Sequence, residues 1–204
     1  TFHSAEGRLR LPLPVDEDQA QFESSDEERH IDYALRYAHY IGDTEFALSL
    51  FDGTSREPIF SQGLDGTGQP VLIPFYPQMI QFGVELQAIV GDWMWKLELI
   101  HRNQDSGSFS ATTAGFEYTF YGILDTAIDL GTLLEYSYED RDDNAGVFDN
   151  DLFTGLRFAF NDVQSSEVLA GLIIDTDNQS QTFRVEANRR LGDSWKLTGE
   201  LQLF

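Results

Sequence analysis

Residues 78–90 read Gln78-Met79-Ile80-Gln81-Phe82-Gly83-Val84-Glu85-Leu86-Gln87-Ala88-Ile89-Val90. Ile80, Phe82, Val84, Leu86, Ala88 and Val90 share one side of an extended chain, while Gln81, Gly83, Glu85 and Gln87 share the other. Side chains that alternate in this way over so long a stretch mark a β-strand with two unlike faces. Working outward, the same period recurs nine more times. It begins with Ile31, Tyr33, Leu35 and Tyr37 against Asp32 and Arg36, and with Phe46, Leu48 and Leu50 against Glu45 and Ser49. It continues with Trp93, Trp95, Leu97 and Leu99 against Lys96 and Glu98, and with Phe116, Tyr118 and Phe120 against Gly115, Glu117 and Thr119. Further along, Leu130, Leu134, Tyr136 and Tyr138 oppose Asp129, Gly131 and Glu135, and Leu152, Leu156, Phe158 and Phe160 oppose Asp151, Gly155 and Arg157. Val168, Ala170, Leu172 and Ile174 oppose Glu167, Gly171 and Asp175, although Leu169 and Ile173 blur that segment. Phe183, Val185 and Ala187 against Arg184 and Glu186, and Trp195, Leu197, Leu201 and Leu203 against Lys196 and Glu200, bring the expected total to ten strands.

Connections sort into two sets by length and composition. The short set is Gly42-Asp43, Gly91-Asp92, 121–126, 161–165 and Gly192-Asp193, with Gly-Asp used three times where a turn wants positive φ. The longer, more polar set is 53–76, 103–108, 140–150 and 175–181. Residues 1–29 have no sustained period, carry the run Asp26-Glu27-Glu28, and read as an acidic polar loop ahead of a single strand-built domain over 30–204.

Composition narrows the function classes. Thirteen Lys+Arg against thirty-five Asp+Glu give a formal charge of −22, which argues against a nucleic-acid partner, since phosphate binding needs basic patches. There is no Cys, hence no disulfide framework, thiolate metal site or Cys nucleophile. An apolar content of 41% with 13% aromatics is too rich for a disordered chain. The longest nearly unbroken apolar stretch, Val168 to Ile174, falls far short of the about 20 residues that a membrane-spanning helix needs. Thr1 opens the chain without the basic, apolar and small-residue pattern of a secretory leader.

Alternation alone fits a soluble β-sandwich with acidic loops, a binding module, as well as a membrane barrel. Three features favour an antiparallel up-and-down transmembrane β-barrel. The segments approach the about 9–11 residues of a tilted membrane strand. Their polar faces mix Gly, Glu, Arg, Thr and Ser, as around a water-filled interior. Aromatics gather beside the short turns: Tyr37, Trp93, Trp95, Phe120, Phe158 and Trp195, accompanied by Tyr40, Phe46, Tyr121 and Phe160, as in an interfacial girdle. On this reading Ile80, Phe82, Val84, Leu86, Phe116, Leu130, Leu134, Leu172 and Val185 face lipid. The interior is lined by Arg36, Glu85, Lys96, Glu98, Glu117, Glu135, Arg157, Arg184 and Glu186. Arg102, Arg190, Lys196, Asp32, Glu45, Asp129, Asp151 and Glu167 share that face, and its ten acids against seven bases predict a weak preference for cations.

The segments Gly115-Phe116-Glu117-Tyr118-Thr119-Phe120-Tyr121, Phe148-Asp149-Asn150-Asp151-Leu152-Phe153 and Arg190-Leu191-Gly192-Asp193-Ser194-Trp195-Lys196-Leu197 resemble those of Gram-negative outer-membrane β-barrels of the porin-like kind, and more narrowly of uncharacterised porin-like proteins. The resemblance covers most of the chain. It implies residence in the outer membrane of a Gram-negative bacterium, contact with its lipid and lipopolysaccharide, and passage of small solutes or ions. It carries over no catalytic residue. Such barrels usually end in an aromatic residue in step with its apolar partners, but Phe204 is in step with Gln202 and Glu200 instead. The final strand also follows a short turn. Ten visible strands are therefore expected to be part of a larger barrel, incomplete at both ends, with at least twelve strands in all.

Other chemistry finds little footing. His3, His30, His39 and His101 have no ligand-like spacing. The run Asp140-Arg141-Asp142-Asp143-Asn144-Ala145-Gly146 has Ala145 where a calcium loop turns on Gly, and Asp151 where that loop places Glu, so it reads as a solvated acidic loop. No Ser lies in a hydrolase motif, and no cofactor, metal or enzymatic activity is expected.

Overall fold

The computed structural model describes residues 11–141 and 150–204. These are all-β, with thirteen strands and three single 3-10 turns among the described residues. In chain order the strands are β1 (Gln21–Phe22), β2 (Tyr33–Ile41), β3 (Thr44–Thr54), β4 (Ile59–Leu64), β5 (Pro70–Tyr76), β6 (Gln78–Val90), β7 (Trp93–Gln104) and β8 (Gly107–Phe120). They continue with β9 (Asp129–Glu139), β10 (Asn150–Ala159), β11 (Glu167–Asp175), β12 (Gln181–Leu191) and β13 (Trp195–Leu203). Ten of them form one antiparallel sheet in the order β13-β12-β11-β10-β9-β8-β7-β6-β3-β2, and these are the ten segments that alternate in sequence. β2 and β13 stand at the two ends of that order, so no closure of the sheet on itself is seen among the described residues.

The chain divides into two compact units. The first is assigned Thr1–Leu35, Ser49–Phe82 and Arg102–Ser108. It holds a three-stranded sheet in the order β1-β5-β4, formed by residues whose composition suggests loop. β4 and β5 pair antiparallel, whereas β1 joins β5 parallel through Gln21 with Phe75 and Phe22 with Tyr76. Val71 and Leu72 of β5 are buried, as are Pro74, Pro77 and Met79. The backbone exchange between Leu72 and the 14–16 segment, at 2.8 and 2.9 Å, ties the acidic lead-in to this sheet rather than leaving it unstructured. Asp65 closes the β4–β5 turn by accepting the Gln69 N–H at 2.9 Å and the Thr67 hydroxyl and N–H, which hold its carboxyl below the usual range. The Asp32 carboxylate accepts the Thr54 N–H at 2.8 Å and lies 3.2 Å from His30 Nδ1, and the backbone bond is the main cause of its lowered pKa. Gly53 makes room for this, since a Cβ there would stand 2.3 Å from the Asp32 side chain.

The second unit is assigned Arg36–Leu48, Gly83–His101 and Phe109–Phe204. Its register runs strand to strand as a meander: Phe116 opposite Leu134, Leu134 opposite Thr154, Gly155 opposite Gly171, Gly171 opposite Arg184, and Arg184 opposite Gln202. Because the register is even, one face keeps its identity across six strands. Leu134, Tyr136, Tyr138, Leu156 and Phe183 lie exposed on one face. Glu117, Gly131, Asp151, Gly155 and Gly171 lie buried on the other.

Sorting the connections by length needs correction. Residues 42–43, 91–92 and 192–194 are short turns as expected, with Gly42, Gly91 and Gly192 at φ near +60°. At the same strand ends, however, 121–128 contains a 3-10 turn and 160–166 is also a longer loop. At the opposite ends, 105–106 is a two-residue turn, because Asn103 and Gln104 extend β7 where their polarity suggested a loop.

Candidate functional site

All nine expected lining residues fall on the charged face of the second unit, and the structure draws most of them into ion pairs. Arg36 on β2 reaches Glu85 on β6 at 2.7 Å, across β3, the strand between them. Arg157 on β10 reaches Glu117 on β8 at 3.2 Å, across β9, and also lies 3.7 Å from Glu167. Gly131 of β9 makes this possible: a Cβ there would stand 2.5 Å from Glu117 Oε1 and 3.4 Å from Arg157 Cβ. Glu117 is 8% exposed, so the neighbouring guanidinium is what makes its burial tolerable. Arg184 on β12 lies 2.6 Å from Glu186 and 3.2 Å from Glu200 on β13, and so screens two carboxylates that stand opposite one another in the register.

Lys96 and Glu98 line a small cavity of about 130 Å³ together with Glu45, Glu85 and Gln87. Glu135 lines a larger one, of about 290 Å³. The pair between Arg157 and Glu117 is thus spaced by a glycine on the intervening strand. The result is a face on which opposite charges meet side to side and the remaining acids border open space.

The expected girdle is brought together in part. Trp93 and Trp95 stack at 5.7 Å, Trp93 lies 5.1 Å from Phe116 and 4.7 Å from Tyr118, and Tyr118 meets Phe120 at 4.7 Å. Tyr37 lies 6.2 Å from Phe46. Phe158 is half-buried and Trp195 is 77% exposed; neither has a ring partner among the described residues. In the acidic 140–146 run, Asp140 accepts the Ser110 N–H, and the Arg141 guanidinium sits 4.2 Å over the Phe109 ring. Asp142 and Asp143 lie outside the described residues, as do His3, Phe148 and Asp149.

Apolar residues also face the charged side, among them Phe153, Leu169 and Ile173. Phe153 turns inward and lays its ring over Gly155 and Gly171, within 2.7 and 2.2 Å of where their Cβ atoms would be. An aromatic ring covering a cross-strand glycine pair restores the packing that the glycines lack. Leu169 and Ile173 share its cavity, and their out-of-phase apolar character was the available signal. Arg189 belongs to the opposite face, 3.5 Å from Asp162 in the 160–166 loop. That Asp162 carboxyl is held low chiefly by the Ser166 N–H, at 2.7 Å. No three His, Asp, Glu or Cys side chains among the described residues are grouped to hold a metal ion.

Comparison with known proteins finds no matching family model, no matching curated protein and no matching solved structure.

Proposed function

We propose that the ten-stranded sheet is wall from an outer-membrane β-barrel of the porin-like kind, with its apolar face against lipid and its charged face lining an aqueous interior that small solutes or ions cross. The single observation that carries this reading is the inversion of burial in the second unit. Acids and glycines such as Glu117, Asp151, Gly155 and Gly171 are the covered residues, while Leu134, Tyr136, Leu156 and Phe183 are exposed. In water this arrangement is unfavourable on both counts, since apolar area stays wet and charge is desolvated. Against lipid the same arrangement becomes the stable one, because hydrocarbon covers the apolar face while the charged face, with Glu117 held by Arg157, borders an aqueous interior. A soluble sandwich would bury the leucine and aromatic face and hydrate the acids. The aromatic cluster of Trp93, Trp95, Phe116, Tyr118 and Phe120 suits a membrane–water interface.

The test is to refold the chain in detergent and compare its mobility in SDS before and after boiling, then to add it to planar bilayers. A heat-dependent mobility shift together with stepwise conductance supports the proposal. A chain that is soluble and monodisperse without detergent, with no mobility shift, refutes it in favour of the sandwich.

A further inference from the structure

The charged face of the second unit carries an apolar cluster on β10 and β11. β10 and β11 turn Phe153, Leu169 and Ile173 toward that face, at positions where their neighbours carry Asp, Glu, Arg or Gly. Register clusters them: Phe153 stands opposite both Glu135 and Ile173, and Leu169 opposite Glu186. The three apolar side chains border a cavity of about 290 Å³, close to the lower end of the about 300–1,000 Å³ range of small-molecule sites. Gly155 and Gly171 seat the Phe153 ring beside it. Glu135, Ser137, Asp151, Arg184 and Glu186 complete the lining around this apolar patch. The Arg184 terminal nitrogen is committed to Glu186 and Glu200, but its Nε–H is buried without a hydrogen-bond partner among the described residues.

We infer that this cavity is a solute subsite for an organic cation with a compact apolar body. A protonated amine is matched by the Glu135 carboxylate, and an apolar body by Phe153, Leu169 and Ile173. The inference deepens the proposed function by naming the kind of solute, and it rests on that reading for the cavity to be reached through water.

The full chain refolded in detergent micelles is titrated with three probes that share one body: L-phenylalaninamide (cationic), N-acetyl-L-phenylalaninamide (neutral) and N-acetyl-L-phenylalanine (anionic). The methyl NMR signals of Leu169 and Ile173 serve as reporters. The cationic amide is expected to shift both methyls, the neutral amide to bind about tenfold more weakly, and the acid not to bind. Glu135→Gln should weaken the cationic amide about tenfold and leave the neutral one alone. Gly171→Ala retains every charge but drives the Phe153 ring off its seat, and it should weaken both amides alike. Asp193→Asn, in the 192–194 turn, should change neither. Equal affinity for all three probes, or equal effects of Glu135→Gln and Asp193→Asn, would overturn the inference. Binding in micelles does not depend on conductance, so the two readings fail separately. A conducting barrel that does not discriminate among the probes loses the subsite alone, and a detergent-free soluble chain that still prefers the cation loses the membrane reading alone.

Discussion

Leu134→Arg puts the opposed faces to the most demanding energetic test. Leu134 is the middle residue of β9, with Phe116 opposite it on β8 and Thr154 on β10, and 38% of its surface is exposed. Leu130, next to the strand's start, lies closer to an interface and is the poorer position. An arginine at the bilayer midplane of a barrel costs about 2–4 kcal/mol. That lowers the folding equilibrium constant roughly 30- to 700-fold. Ser137, three residues on, is half-buried on the charged face beside Glu135 and Asp151, and arginine there meets water and carboxylates, so Ser137→Arg should cost well under half as much. The assay is urea unfolding from short-chain phosphatidylcholine vesicles, followed by the fluorescence of Trp93 and Trp95. Equal destabilisation by the two variants, or a Leu134→Arg protein as stable as its parent, would refute the facing argument.

Gly131→Ala should separate Glu117 from Arg157, since the new Cβ meets Glu117 Oε1 at 2.5 Å; a loss of about 1–3 kcal/mol is expected from the buried carboxylate, and unfolding at matched lipid composition measures it. Asp162 and Asp65 have lowered pKa values in the folded state, so each contributes stability that is complete above the ordinary carboxylate pKa and is lost as pH falls through the folded value. Asp162→Ala should therefore be less stable than the parent at neutral pH and equal to it in acid; a gap that stays constant with pH counts against the Ser166 bonds as the cause. Reversal potentials in a salt gradient should show weak cation preference, because acids such as Glu135, Glu98 and Glu45 border the open cavities while Arg36, Arg157 and Arg184 are paired; clear anion selectivity contradicts this.

The ten strands of the large sheet were legible because each alternates between unlike faces, and a period of two survives any arrangement of neighbours. The three-stranded sheet was not. Its β1 has two residues, and Pro70, Pro74 and Pro77 punctuate β5 and its exit like a loop, although an edge or a parallel bridge needs no alternation. Which face each lining residue takes was readable from parity alone, but not which partner it finds. Arg36 meets Glu85 because β3 lies between β2 and β6, and Arg157 meets Glu117 because Gly131 leaves the gap; both depend on strand order. The apolar patch was half legible. Leu169 and Ile173 stood out as breaks in phase, whereas Phe153 hid among aromatics that point the other way.

The most direct test of the central claim is a cysteine scan of β9, made clean by the absence of any native Cys. Single cysteines at positions 130 to 138, in protein reconstituted into vesicles, are reacted with a membrane-impermeant charged thiosulfonate and, separately, spin-labelled to compare collisions with oxygen dissolved in lipid and with an aqueous nickel chelate. The account predicts alternation: positions 133, 135 and 137 reached from water, and 130, 132, 134, 136 and 138 from lipid, with 131 closed by the Glu117 and Arg157 side chains packed against it. Water access at 134 and 136 with protection at 135 and 137, or uniform access throughout, would contradict it.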